Sequence, residues 1–360
     1  MLIELMTSES PLLVVQIVAT YDKVVSDYLY NQFETFVAFW LISILCCLGL
    51  VTNSFSMAVF MAQGFRDGVN ISMMSIAMWD FIKCFTAVVN RLHGPISLIS
   101  ASAATSWRNM SFPVTAYTPI FSGYVTFCLT TYVSVERCLC VSRPFTFKAI
   151  FSRNFTLVAM VVISGVVFGA YVVVYFIYDI AYTFSPDFNT TIAVYRYNAF
   201  FYQSQNIVMP YYRFTGITIP FASFVVLCIS SSCTVYYLRK SSQFLTAKNG
   251  NDAGVKDNST VNMSFSRREK QVVAMLLSVI FTTIGNLFPR IIFYVAQLVE
   301  PELFLLRKYH NVFSVVAVCL FALDILRASV NFFLFLSMST QFKQTFFRKY
   351  AANSYNYPKE

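Results

Sequence analysis

Five ionisable side chains stand inside long apolar stretches: Asp80, Lys83, Arg290, Asp324 and Arg327. A charge in the middle of a hydrocarbon layer costs several kcal/mol, so such groups turn toward other protein and mark function by default. Lys83 follows Asp80 by three residues, and Arg327 follows Asp324 by three, so each pair shares a helical face. The chemistry these residues offer is ion pairing, not bond making. Pairing that only holds helices together is the plain alternative to a functional role. Catalysis would need more. The chain has two histidines, His93 and His310, and neither a His-Glu-x-x-His nor a Gly-x-Ser-x-Gly run. No cysteine pair has structural-zinc spacing with companion ligands. Neither an enzyme nor a cofactor or metal site is expected.

The elements that must position these charges are apolar spans. Hydrophobic residues make up 57% of the chain and charged residues 12%. Seven stretches are long enough to cross a bilayer as helices: 36–61, 71–92, 115–141, 155–178, 213–238, 271–297 and 311–337. Short alternating segments of a barrel are missing. The expected fold is an all-α membrane protein, a seven-helix transmembrane bundle. After the last span, Phe342, Phe346 and Phe347 recur at helical spacing beside Lys343, Arg348 and Lys349. That pattern predicts a short amphipathic helix at about 340–350, lying in the membrane interface. The divisions are then an N-terminal segment 1–35, a bundle with its interfacial helix over 36–350, and a tail 351–360.

Basic residues orient the bundle. Lys23, Arg91, Arg108, Arg196, Arg213, Arg307 and Lys308 fall on one side and Lys83, Arg290 and Arg327 within spans; the other sixteen of the 26 Lys and Arg fall on the second side. The richer side is expected in the cytoplasm, which puts the N-terminus outside, the C-terminus inside and the protein in the plasma membrane. The net charge of +9 is accounted for by this bias and by attraction to anionic lipid, with no nucleic acid partner. Asn109 and Asn189 head Asn-x-Ser/Thr runs on the outer side and are candidate glycosylation sites. None of the nine cysteines lies in an outer loop, so an extracellular disulfide is not expected. Cys138 and Cys140 stand near the inner face, where acylation and plain packing are both open. The outer segment 179–212 is aromatic, and either a cover over the bundle mouth or an interfacial belt fits it.

The order and spacing of several residues resemble the rhodopsin-like class of G-protein-coupled receptors over about residues 36–350. Asn53 matches the first-helix asparagine. Ser75-Ile76-Ala77-Met78-Trp79-Asp80 resembles the second-helix Leu-Ala-x-x-Asp run. Glu136-Arg137-Cys138 stands where Asp-Arg-Tyr closes the third helix, with Pro144 seven residues beyond Arg137. Pro220 and Leu287-Phe288-Pro289 fit the fifth- and sixth-helix proline sites. Asn331-Phe332-Phe333-Leu334-Phe335 stands for Asn-Pro-x-x-Tyr, and Phe342-Lys343 opens the interfacial helix. The segment from Gln63 to Asp80 resembles divergent invertebrate chemosensory receptors; peptide-receptor types are the near alternative.

The resemblance implies a receptor that senses an extracellular ligand and activates a heterotrimeric G protein. Its switch would consist of Glu136, Arg137, Glu269, Asn331 and Phe335. An Arg137–Glu269 pair would clamp the inner ends of helices three and six, unless Glu269 belongs to the solvated run Arg267-Arg268-Glu269-Lys270. Pro220 and Pro289 would provide bends. The polar core would be Asn53, Asp80, Thr126, Asp324 and Arg327, with Arg327 pairing Asp80 in place of the sodium ion that family members often hold there. Departures are informative. Phe112 occupies the third-helix cysteine position, Pro119 the amine-binding Asp position, and residues 311–337 hold no lysine for retinal. A pocket of Arg91, Tyr117, Arg290 and Tyr294 implies an acidic small molecule or peptide ligand. The competing class is a seven-span ligand-gated channel or transporter, whose repeated halves are not evident.

Overall fold

In the computed structural model the described residues are 24–143, 147, 150–251, 267–304 and 307–350, with only the backbone described for 241–251 and 267–270. Eight helices and one hairpin account for almost all of them. Helix α1 spans Asp27–Gln63, α2 Gly68–Ser97 and α3 Ala101–Ser142. Helix α4 spans Arg153–Gly169, strands β1 and β2 span Tyr178–Ser185 and Thr190–Tyr197, and α5 spans Ala199–Asn251. Helices α6, α7 and α8 span Arg267–Val299, His310–Met338 and Thr340–Tyr350.

Local sequence sets many of these ends. Ser26, Asp67, Ser100 and Ser152 cap α1 to α4, each accepting a hydrogen bond from a first-turn amide. Gly64 ends α1 at φ 79°, a backbone conformation open to glycine and strained for other residues. Helix α3 breaks at Ala116–Tyr117 and resumes at Thr118. Pro119 explains the break: it has no N–H, and its ring collides with the carbonyl four residues earlier, that of Thr115.

Among the described residues six helices are long and apolar enough to cross a membrane: α1, α2, α3, α7 and the greater parts of α5 and α6. The chain is by this measure a multi-pass helical membrane protein. Helix α4 has 17 residues, about 25 Å at the α-helical rise, short of a roughly 30 Å hydrocarbon layer. It continues past Ala170–Tyr171 as a 3-10 segment, Val172–Phe176.

Several boundaries differ from the sequence reading. Helix α1 starts at Asp27, inside the expected N-terminal segment, and carries a π-helical stretch over Glu34–Leu41. Helix α3 starts fourteen residues before position 115. The segment expected as a loop at 179–212 is an antiparallel hairpin followed directly by α5, which begins at Ala199. The polar stretch after position 240 continues α5 to Asn251. Hydropathy sees only the part of a helix that lipid covers, so polar extensions such as Ala101–Thr115 escape it.

Helix α3 lies at the centre and packs against α2, α4, α5 and α6. The ring closes with α1 on α2 and α7, and α6 on α5 and α7. Helix α8 folds back on α1 and α7, seating Phe342 between Phe60, Phe332 and Phe335. Val158, Val161, Val162 and Val166 of α4 are exposed, as a lipid-facing helix requires. The hairpin caps the opposite end of the bundle from α8. Asn109 donates to the Ala193 carbonyl at 2.8 Å, and the Ala193 amide donates to Ser106 at 3.2 Å. Phe112 stacks on Tyr195 at 4.4 Å. All nine cysteines are free, so noncovalent contacts alone fasten this hairpin.

Candidate functional site: a buried charge cluster beneath a cavity

The five intramembrane charges meet. Two pairs one helical turn apart, on α2 and α7, face each other across the bundle, and α6 brings Arg290 in beside them. Arg327 Nη2 lies 2.8 Å from Asp80 Oδ1. Lys83 Nζ bridges the two acids, 3.3 Å from Asp80 Oδ1 and 3.3 Å from Asp324 Oδ1. Arg327 Nε is 3.7 Å and Arg290 Nη2 3.9 Å from Asp324. Amides and a hydroxyl complete the set. Asn331 donates to Asp80 Oδ2 at 3.2 Å, Asn286 donates to Asp324 Oδ1 at 3.0 Å, and Arg327 donates to Thr126 Oγ1 at 3.2 Å. Asp80 and Lys83 are 0% exposed. Two buried carboxylates thus serve three cations. Ion pairs this deep add little net stability, but removing one partner costs about 3–5 kcal/mol because a bare charge stays behind.

Gly123 makes the arrangement possible on the α3 side. A Cβ there would stand 2.9 Å from Asp324 Oδ2, so a side chain would push the carboxylate off its partners. Asn53 is close by in the fold without joining the cluster; it donates to the Gly49 and Ala328 carbonyls at 2.8 and 3.2 Å and ties α1 to α7.

A cavity of about 520 Å³ opens between α2, α3, α6 and α7, lined by Arg91, Arg108, Arg290, Tyr124, Tyr294 and Asp324 with several phenylalanines. It meets the charge cluster at Asp324 and Arg290. Of the four residues expected in a pocket, Arg91, Arg290 and Tyr294 line it. Tyr117 does not. The α3 break turns it toward the hairpin, where its hydroxyl lies 2.6 Å from that of Tyr178. Burial, with Tyr117 beside it, pushes the Tyr178 phenol well above its ordinary range.

At the α8 end, Arg137 Nη2 and Glu136 Oε1 are 2.5 Å apart, and the Arg137 guanidinium sits 5.8 Å from the Phe147 ring. Phe335 is buried edge-on against Phe60. The Glu269 side chain lies outside the described residues, and with it the Arg137–Glu269 clamp. Pro220 and Pro289 sit inside α5 and α6, each four residues after a glycine, Gly216 and Gly285. Asn189 is exposed at the hairpin turn with φ 48°, accessible to a glycan. Asn109 is not: its side-chain nitrogen, the atom a glycan would take, is bonded to the hairpin.

Two members of the cluster escaped the sequence reading. Lys83 was noticed as a charge but not as the bridge between two acids on different helices. Asn286 was passed over, although it precedes Arg290 by four residues and so shares its face. Among the described residues no group of His, Cys, Asp and Glu is placed to hold a metal ion.

No family model matches the chain, and no curated protein matches it.

Proposed function

We propose that this chain is a seven-helix receptor of the plasma membrane, with its N-terminus and hairpin outside and α8 in the cytosol, and that it activates a heterotrimeric G protein. In this reading α4 and its 3-10 continuation form the seventh crossing. The observation that carries the proposal is the layout along α3. At the hairpin end α3 lines a cavity of about 520 Å³. At its middle Thr126 joins the buried charges. At its other end Arg137 is held by its neighbour Glu136, where a partner helix could displace that contact. A ligand that rearranges the charges moves α6 and α7, which carry Arg290, Asp324 and Arg327, and the proline positions let α5 and α6 bend. The basic face of α8 suits the anionic inner leaflet. Asn189 is the glycan site in this orientation.

The test is nucleotide exchange. The full chain in lipid nanodiscs is mixed with heterotrimeric G proteins of several classes, and guanine-nucleotide loading is followed. Loading above empty nanodiscs, lost in Arg137→Ala, is expected. Absence of loading with every G protein, together with a current across lipid that needs none, would establish the channel reading instead. Epitope tags give a second check, with the N-terminal tag reached on intact cells and a tag near residue 255 reached only after permeabilisation.

A further inference from the structure

We propose that the cavity binds a hydrophobic carboxylate, whose single negative charge completes the buried cluster. The argument begins with the charge balance. Asp80 and Asp324 face Lys83, Arg290 and Arg327, so this buried set is one negative charge short. Of the three cations, Arg290 is the one that lines the cavity, and it is held loosely. Asp324 already receives Lys83 Nζ at 3.3 Å and Asn286 Nδ2 at 3.0 Å, and it holds Arg290 only at 3.9 Å. Arg290 Nε has no hydrogen-bond partner among the described residues although it is buried. That nitrogen belongs to a planar fork suited to a carboxylate, on a side chain that lines the cavity.

The second cavity arginine points the same way. Arg91 spends its N–H groups on the Ala38 and Ala87 carbonyls, and its guanidinium lies 5.7 Å from the Phe321 ring. Among the described residues no carboxylate forms an ion pair with it. Against three arginines the cavity wall offers one acid, Asp324. A cationic ligand would meet that excess directly, and a neutral one would leave it uncompensated. The rest of the wall is apolar and aromatic, with Phe127, Phe293, Phe313 and Phe321 among the lining residues. The volume is that of a small organic ligand. An apolar body carrying one carboxylate fits both halves of the site. Its arrival would also draw Arg290 from Asp324, loosening α6 from α7 at the residue after Pro289, which is how binding would reach the signalling end.

The inference rests on the receptor reading for that last step only; binding is separable. The full chain in nanodiscs is heated with octanoate, benzoate or phenylacetate, and in parallel with the matching primary amides. The expected result is a rise in unfolding midpoint with one or more of the carboxylates and none with its amide. Arg290→Gln should weaken the stabilising carboxylate by about tenfold or more, and Arg290→Lys by less. Should Arg290→Gln not fold, Arg290→Lys carries the comparison, since it keeps the charge and loses the fork. Equal stabilisation by the amides, no shift with any carboxylate, or unchanged affinity in the arginine variants overturns the site. Nucleotide loading separates the two proposals. Carboxylates that bind without promoting loading leave the site standing and count against the receptor. Loading driven by neutral or cationic compounds alone does the reverse.

Discussion

The two ends of the bundle are joined by opposite means. Toward the hairpin, α2, α6 and α7 meet through charges around a cavity, one contact tight at 2.8 Å and the others at 3.3–3.9 Å, looser than good ion-pair geometry. Toward α8 the same bundle closes on phenylalanine rings. Phe60, Phe335 and Phe342 have centroids 5.3–5.6 Å apart and are 1–3% exposed. The difference is one of susceptibility. A cluster with an uneven charge count answers to any added charge, over several ångströms. Packed rings answer only to a change of shape, and they change between discrete arrangements. The cavity end is therefore open to electrostatic perturbation and the α8 end to steric perturbation.

Mutations at each end sharpen that contrast. The largest expected effect is Asp324→Ala, which strands Arg290 and leaves Lys83 on Asp80 alone; it should cost about 3–5 kcal/mol, read as a lowered unfolding midpoint in detergent. Removing Lys83 as well, as Asp324→Leu with Lys83→Met, should recover much of that loss; a double variant as weak as the single one would contradict the electrostatic account. At the ring end, Phe335→Ala should cost about 3 kcal/mol, the low end for a buried Phe, because lipid tails already replace water outside the bundle. Its cost should not change in the Asp324→Ala background, since the two lie in separate regions. Gly123→Ala should cost about 1–3 kcal/mol by overpacking. That cost should shrink when Asp324 is already alanine, and a fully additive pair would mean the carboxylate is not what the new methyl meets. Asn109→Ala should cost about 1 kcal/mol and quicken amide exchange along Thr190–Tyr197 while leaving α8 protection alone. The smallest effect is a null one. With Arg327 Nη2 on Asp80 and Thr126, exchanging sodium for choline chloride at fixed ionic strength should leave the unfolding midpoint unmoved; a sodium-dependent rise would show that the cation site is open.

How far the sequence foretold this depends on what each residue type had to satisfy. That Asp80 and Arg327 face the bundle interior follows from their cost in lipid, whereas their pairing with each other was implied only by the receptor resemblance. The phenylalanine spacing after Thr340 forced an amphipathic helix, and α8 occupies Thr340–Tyr350. Asn286 carried no such constraint, since an amide inside a helix can bond its own backbone. Tyr117 falls outside the cavity because the turn at Ala116–Tyr117 changes the helical phase of α3 and aims it at the hairpin. The hairpin does carry a readable signal inside that aromatic segment: Tyr178, Ile180, Tyr182 and Phe184 alternate with Asp179, Ala181, Thr183 and Ser185 along β1, the period of a strand.

The attachment of that hairpin has a practical meaning. A sulfur crosslink is either intact or cut, and it depends on the redox chemistry of its surroundings. Ala193, Tyr195 and Tyr178 instead grip α3 by amide bonds, ring stacking and a shared hydroxyl contact. Such a lid opens by degrees, with a population set by temperature and by each contact removed. It also requires no oxidising foldase to be made, and thiol reductants leave it in place.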